Sequence, residues 1–564
     1  MFGAIMVCSH PIMPIRRLVN IDTGEVKIEI AFCRGKVWRT AIFDKQTLSA
    51  SQKIVALSSF GIGVDSENAK QLVMYLSAME NLNYDDLPEV KSVSRLGWMD
   101  GYGFSPYTEN LIYDGDEQNR HMFNCVRTEG SYEKWLELAK QVRAGNSIVA
   151  RVMLAASFAS VMVSQMDALP FVVHVWGGAG AGKTLGLFLA SSVWGSPNTG
   201  EFTKTFNGTK VGNELLAAFC GNLPLCLDEL QCVKNQHRNQ FDELIYMLCE
   251  GAGKTRGSRT GGLQRTTTWR NCTISTGEMP ITSPTSGMGA VLRVIELNCE
   301  SERLFADPRG AASTLTRNYG HAGKMFVEQL SAKDAMDIAH DVNNNYLEQL
   351  AGKADPKQIL SASLILTADA LAELLIFDDG NNLKPDDIIP YLTTTAMADA
   401  NRRAYGWLMD TISSNPNRFG TNQFEDYQGE CWGKIETDGY AYIIKSHFDK
   451  LMSDASFSSE SFLSWAKRKN LLRCEDNRTT ITKWLPSIKI AARCIAIKTP
   501  AADGKNPYEE DEQVELPPEL ISDADESGVP DVPVEFNPQE IEAPTEPSQP
   551  SEPAEKTVED LPFL

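Results

Sequence analysis

Apolar residues along this chain change their period several times, and each change marks a predicted element. Phe171 to Trp176 is an apolar run interrupted only by His174, the pattern of a strand buried on both faces. Leu185 to Val193 follows with helix-like composition. A second buried-strand pattern, Leu223-Pro224-Leu225-Cys226-Leu227, ends in Asp228-Glu229, and a third spans Cys272 to Thr276. Between the last two, Phe241, Leu244, Ile245 and Leu248 recur at helical spacing and run into Gly251, a helix stop. Val152 to Met166 is uncharged and apolar for fifteen residues. That is too short to cross a bilayer, so it predicts a buried helix supporting the sheet. Strands alternating with helices predict an α/β fold with a central, mostly parallel sheet.

The flanks read differently. Val26–Phe32 and Val37–Phe43 surround Cys33-Arg34-Gly35-Lys36 as a hairpin, with helical patterns at Leu48–Leu57 and Glu67–Met79. Residues 1–135 are therefore expected to form an α+β domain and 136–300 the central α/β core. Residues 301–425 are expected to be a helical region and link, helical at Met325–Leu330 and Ser361–Leu375 and loosening after 400. Residues 426–500 carry a strand (Tyr440–Ile444), helices at Ser446–Met452 and Ser458–Lys469, and a hairpin of Thr479–Lys483 with Ala491–Ile497. That order suits a winged helix. Ser458-Ser459-Glu460 caps its second helix, and Lys467, Arg468, Lys469 and Arg473 make its end basic.

The turn after Trp176 carries the chemistry. Gly177, Gly178, Ala179, Gly180, Ala181, Gly182, Lys183 and Thr184 complete the pattern G-x-x-x-x-G-K-[ST], with a strand before and a helix after. Backbone N–H groups can converge on a phosphate only where side chains do not intrude, and the following helix adds its free N–H groups and dipole. The motif predicts ATP binding: Lys183 neutralises β/γ-phosphate oxygens and the Thr184 hydroxyl ligates Mg²⁺. Asp228 then completes the Mg²⁺ shell and Glu229 polarises the attacking water. Ser275, Thr276 or Glu278, at the tip of the third strand, is placed to sense the γ-phosphate. Gly251-Ala252-Gly253-Lys254-Thr255 mimics a second phosphate loop, but its first glycine would fall at Leu248. From Gly251 to Gly277 there is no acidic residue, while Lys254, Arg256, Arg259, Arg265 and Arg270 alternate with glycine and threonine. Such a segment can follow a nucleic-acid backbone.

The charge of −21 on 564 residues would argue against that partner if it were spread evenly. It is not: residues 501–564 hold nineteen acidic and two basic side chains and eleven of the 27 prolines, leaving −4 for the rest. That tail is expected to be disordered. The twelve cysteines form no C-x-x-C pair and the seven histidines no cluster, so zinc-site spacing is absent. Cys226, Cys249 and Cys272 read as buried thiols, and His174 as a satisfied core residue. With no secretory pattern at Met1–Met13 and no predicted span, a cytoplasmic protein without membrane contact is expected.

The loop at Gly177, the Leu-Asp-Glu strand end, the segment Gly251 to Arg259, Trp269-Arg270 and Ser275-Thr276-Gly277-Glu278 resemble the "domain of unknown function 927" family of phages and mobile elements. Gly97-Trp98 and Asn318-Tyr319-Gly320-His321-Ala322-Gly323 fit it as well. The order of parts is similar to that of the superfamily 3 replicative helicases, which are AAA+-like. The resemblance implies an ATP-dependent helicase or translocase on single-stranded or forked DNA, assembled as a homo-oligomeric ring such as a hexamer. In such rings a basic hairpin, here with Lys254, Arg256 and Arg259, enters the pore, and an arginine placed like Arg293 acts on the neighbouring subunit's site. Gly277 and Glu278 stand where those helicases usually carry asparagine. Two other readings fit the same residues: an ATP-switched initiator or helicase loader without unwinding, and a non-catalytic DNA-binding scaffold. Val558–Leu564 resembles the acidic tip of bacterial single-stranded-DNA-binding proteins, which implies a replication partner at the tail.

Overall fold

The computed structural model describes residues 6–230, 239–257, 262–300, 302–331, 334–420, 430–475 and 478–500. Arg259 and the whole acidic tail, with its tip Val558–Leu564, lie outside the described residues.

Residues up to Lys91 form one compact unit and those from Ser92 a second. In the first unit, the predicted hairpin is present as strands Val26–Arg34 and Val37–Asp44. The connecting residues Gly35 and Lys36 both have positive φ, as a tight two-residue hairpin turn requires. A further strand, Ile12–Asn20, pairs antiparallel with Val26–Arg34. Its register shifts between Pro14 and Arg16, where proline and two arginines break the period-two signal. Leu72 and Leu76 of helix Ala69–Leu82 pack on Ile28, Ile30 and Phe32. The helical pattern at 48–57 resolves into two short helices, Lys45–Leu48 and Ser51–Ile54, and a tighter turn at Val55–Phe60.

The second unit is built on a five-stranded sheet, entirely parallel, in the order Val294–Asn298, Phe171–Trp176, Cys272–Gly277, Leu225–Asp228, Lys204–Thr205. Numbered along the chain, that order is 5-1-4-3-2. Helix Ile148–Met162, buried almost throughout, lies under the sheet. Its small polar residues bond neighbouring backbone: Ser157 Oγ donates to Ala190 O at 2.6 Å and Ser160 Oγ to Asn222 O at 2.8 Å. Residues 92–135, expected to go with the N-terminal domain, pack here instead. Leu96 N–H donates to Phe219 O at 2.9 Å and the Trp98 indole to Val161 O at 2.8 Å.

The apolar stretch Pro356–Phe377 has the length and composition of a membrane span, but its most apolar part is mostly buried inside the protein. It carries Asp369 and Glu373, both paired with Arg143. Residues 400–425, read as a polar link, begin with helix Ala400–Ser414. Ala404, Tyr405, Leu408, Met409 and Ile412 line one face of it and join the core of the strands and helices that follow. Those elements are as expected: strand Tyr440–Ile444, helices Lys445–Asp454 and Ser459–Arg468, and hairpin Ile481–Leu485 with Ile490–Lys498. Ser458 Oγ accepts from Ser461 N–H at 3.2 Å, the predicted cap.

Candidate functional site

The turn Gly177–Gly182 leaves the sheet at its C-terminal edge and re-enters as helix Lys183–Ser192, the position at which open α/β sheets take ligands. Two glycines are obligatory for steric reasons. A Cβ on Gly177 (φ +148°) would lie 2.9 Å from Glu300 N, and Gly182 (φ +99°) caps the helix in the left-handed region against Phe305. Lys183 Nζ arches back over the turn to donate to Gly177 O and Gly178 O, both at 2.7 Å.

Strand Leu225–Asp228 delivers the carboxylates. Asp228 is 6% exposed, and its Oδ1 accepts from Thr276 Oγ1 in a short bond, from Glu229 N–H at 3.0 Å and from Thr184 Oγ1 at 3.4 Å. One carboxylate thus ties together the helix that follows the glycine turn, the acidic strand and the middle strand. Glu229 has φ +61°, a strained conformation for a residue with a Cβ, costing about 1–3 kcal/mol. Lys183, Thr184, Asp228, Glu229, Thr276 and Glu278 line one cavity of 720 Å³, within the size range of small-molecule sites. Thr184 hydroxyl and Asp228 carboxylate are hard oxygen donors, the chemistry Mg²⁺ prefers.

The three sensor candidates separate by strand alternation. Thr276 faces Asp228 and Glu278 borders the cavity, whereas Ser275 points to the opposite face and bonds His174 Nδ1 at 2.9 Å. His174 Nε2 lies 3.0 Å from Met279 O. A carbonyl can only accept, so Nε2 carries the proton and Nδ1 accepts from the serine: a neutral ring with both nitrogens satisfied. Burial pushes the His174 pKa down from 6.5 to about 4. The unfolded chain therefore takes up a proton there that the folded chain refuses. The associated stability is fully present above pH 6.5 and is lost as pH falls towards about 4. Denaturant melts of the protein and of His174→Gln between pH 7 and 4.5 should show a steeper loss in the former, by up to about 1.4 kcal/mol per pH unit. Equal slopes would contradict the assignment.

Arg293 lies at the other end of the sheet. Its carbonyl accepts from Val172 N–H at 3.0 Å, a strand length of about 15 Å from the loop. The side chain donates to Gly289 O at 2.8 Å and covers the Tyr246 ring at 5.1 Å. The structure does not bring it to the cavity of its own chain.

The basic segment forms an arm between helix Asn239–Glu250 and the middle strand. Antiparallel bridges join Ala252 with Thr268 and Gly257 with Leu263, and the Trp269 indole fastens the base to Leu248 O at 2.8 Å. Lys254, Arg265 and Arg270 are exposed, and Leu263 is 75% exposed. Arg256 differs: it makes a bidentate pair with Glu214 at 2.7 and 2.8 Å. Its hydrogen bonds hold the buried Glu214 carboxyl below the ordinary range. Glu214 escaped sequence reasoning because it lies 42 residues upstream, on an ordinary amphipathic helix, Lys210–Cys220.

Residues 3–269 match the family model described as "Domain of unknown function (DUF927)". This part of the chain is similar to that family. It contains the glycine turn, the acidic pair and the basic arm as far as Trp269. Other parts of the family pattern are structural. Gly97 (φ +98°) leaves room for Asn222, whose Oδ1 accepts from Trp98 N–H at 2.9 Å, and Gly320 (φ +82°) donates to Ser192 O at 2.8 Å. Further along, residues 399–502 match a model described as "Cch helix turn helix domain". A solved structure titled "SCCmec type IV Cch - active helicase" is similar in fold, with TM-score 0.65 and 17% identity over 88% of this chain and 95% of that chain. Another, "The A form apo structure of NrS-1 C terminal region-CTR", covers 85% of this chain and 95% of that chain at 10% identity. Its TM-score is 0.30. No curated protein matches.

Proposed function

We propose that the chain is an ATP-dependent DNA helicase or translocase of a mobile element or phage, with a P-loop ATPase core and a winged-helix-like domain behind it. The observation that carries this reading is the convergence of Thr184, Thr276 and Glu229 N–H on Asp228, at the mouth of the cavity that Lys183 overhangs. In this reading Lys183 and the turn's N–H groups hold the triphosphate. Thr184 and Asp228 would hold Mg²⁺, whose contribution when bound is to neutralise phosphate charge. Glu229 orients water, and Thr276 both fixes Asp228 and lies where a γ-phosphate would be sensed. Arg293 serves a neighbouring subunit in a homo-oligomeric ring, hexameric by analogy, which is consistent with its distance from its own cavity. The exposed Lys254 and Arg265 follow single-stranded DNA.

The test is ATPase activity with and without single-stranded DNA. Lys254→Ala with Arg265→Ala should leave the basal rate intact, remove stimulation, and flatten the salt dependence of DNA binding by about 1.4 in log–log slope for two phosphate contacts. Arg256 is left out of that variant because its loss would strand buried Glu214. Undiminished stimulation would sink the arm's role. Hydrolysis without displacement of a forked duplex would favour an initiator or loader. No turnover at all would favour a scaffold.

A further inference from the structure

The second unit holds a set of side chains remote in sequence from the glycine turn. His121 and Cys125 are one helical turn apart on helix Glu117–Cys125, and Glu201 lies on the turn that follows helix Lys183–Ser192. One ligand atom from each, imidazole nitrogen, thiol sulfur and carboxylate oxygen, lies within 4.8 Å of the others. Around a tetrahedral ion with bonds of about 2.0–2.3 Å such atoms stand about 3.5 Å apart, a closure within reach of side-chain rotation. We propose that His121, Cys125 and Glu201 form a zinc site.

The surroundings support a site rather than a chance grouping. Glu201 is oriented from behind: one carboxylate oxygen accepts from Ser196 Oγ and, at 3.4 Å, from Asn198 Nδ2, the kind of outer support that ligating carboxylates have. The two sides are already clamped together, Ser196 N–H donating to Cys125 O at 3.0 Å. Cys125 is buried and forms the floor, Glu201 is half-buried, and His121 is exposed, so the fourth position faces water. The neighbouring cations have partners of their own: Arg127 pairs with Glu129 at 3.2 Å and Lys204 donates to Gly200 O at 2.6 Å.

The donor set selects the ion. Thiolate and imidazole favour Zn²⁺ over Mg²⁺ or Ca²⁺, and Zn²⁺ with one thiolate, one carboxylate and a neutral imidazole is electroneutral. Binding releases the thiol proton to solvent. Spacing rules for zinc sites could not reveal the set, because its third member lies in a different loop from the i, i+4 pair. The bound ion would staple the helix ending at Cys125 to the loop that follows helix Lys183–Ser192.

The test uses the full-length protein, freed of metal and titrated with Zn²⁺, and with Co²⁺ as a spectroscopic probe. The expected result is one tight equivalent of Zn²⁺ that excess Mg²⁺ does not displace, a zinc-dependent rise in melting temperature, and a thiolate-to-cobalt charge-transfer band. His121→Ala, at an exposed position, should lose the equivalent and the thermal shift, and Cys125→Ser should lose the band as well. Absence of binding to the unaltered protein, or binding unchanged in His121→Ala, would overturn the site.

Discussion

Lys183→Ala is expected to lower ATP turnover by about 10²–10³-fold or more, the scale seen when a positioned electrostatic group is removed. It should cost the fold no more than about 1 kcal/mol. The asymmetry follows from geometry. Lys183 is only part-buried, and its two bonds go to carbonyls of its own loop, which water can satisfy when the side chain is gone. Those bonds hold the ammonium over the turn and are the ones a β/γ-phosphate would replace. Thr276→Val makes a useful contrast, because its hydroxyl donates to the buried Asp228. Its loss should cost both turnover and about 1–3 kcal/mol of stability. ATPase rates and denaturant melts on the two variants separate the cases. Full turnover in Lys183→Ala would remove the phosphate from the glycine turn and with it the proposed helicase activity.

The parts of the site that could be read in the sequence are those in which local geometry and chemistry coincide. A phosphate cradle needs glycines, lysine and hydroxyl within eight residues, so the pattern from Gly177 to Thr184 stands out in the sequence as a candidate. The acidic strand was equally plain, because Asp228-Glu229 ends an apolar run. Which sensor-strand residue meets Asp228 could not be settled without the register. Ser275 and Thr276 differ only in which face they take, and pairing of Ser275 with His174 and of Leu227 with Ser275 fixes that. Long-range pairings left no trace: Arg256 with Glu214, and His121 and Cys125 with Glu201, join segments whose own patterns are ordinary. In the first unit, strand Ile12–Asn20 was obscured by its irregular register, and after residue 400 helix Ala400–Ser414 was hidden by the polar residues of its outer face.

Arg143 carries the largest expected effect on stability. It is 1% exposed and its guanidinium meets three carboxylates: Asp369 in a short contact, Glu373 at 2.9 Å and Asp379 at 3.1 Å. Arg143→Met should destabilise by about 3–5 kcal/mol, because the removed cation leaves buried anions behind rather than merely deleting contacts. The three carboxyls do not benefit equally from the pairing: Arg143 and its neighbours hold the Asp379 carboxyl below its ordinary value. Burial holds the Asp369 pKa above its ordinary value even with Arg143 beside it, so desolvation outweighs the attraction at that carboxyl. A raised carboxyl pKa means the folded chain binds the proton more readily, and this contribution to stability falls as pH rises through the folded value. Arg143→Met should therefore be partly rescued by Asp369→Asn, which removes the stranded charge yet keeps an oxygen for Leu383 N–H, its partner at 2.7 Å. Asp369→Leu would orphan that N–H and rescue less, by about 1–3 kcal/mol. Denaturant melts of the single and double variants decide the matter: additive losses in Arg143→Met with Asp369→Asn would mean that packing, not stranded charge, is what Arg143 supplies.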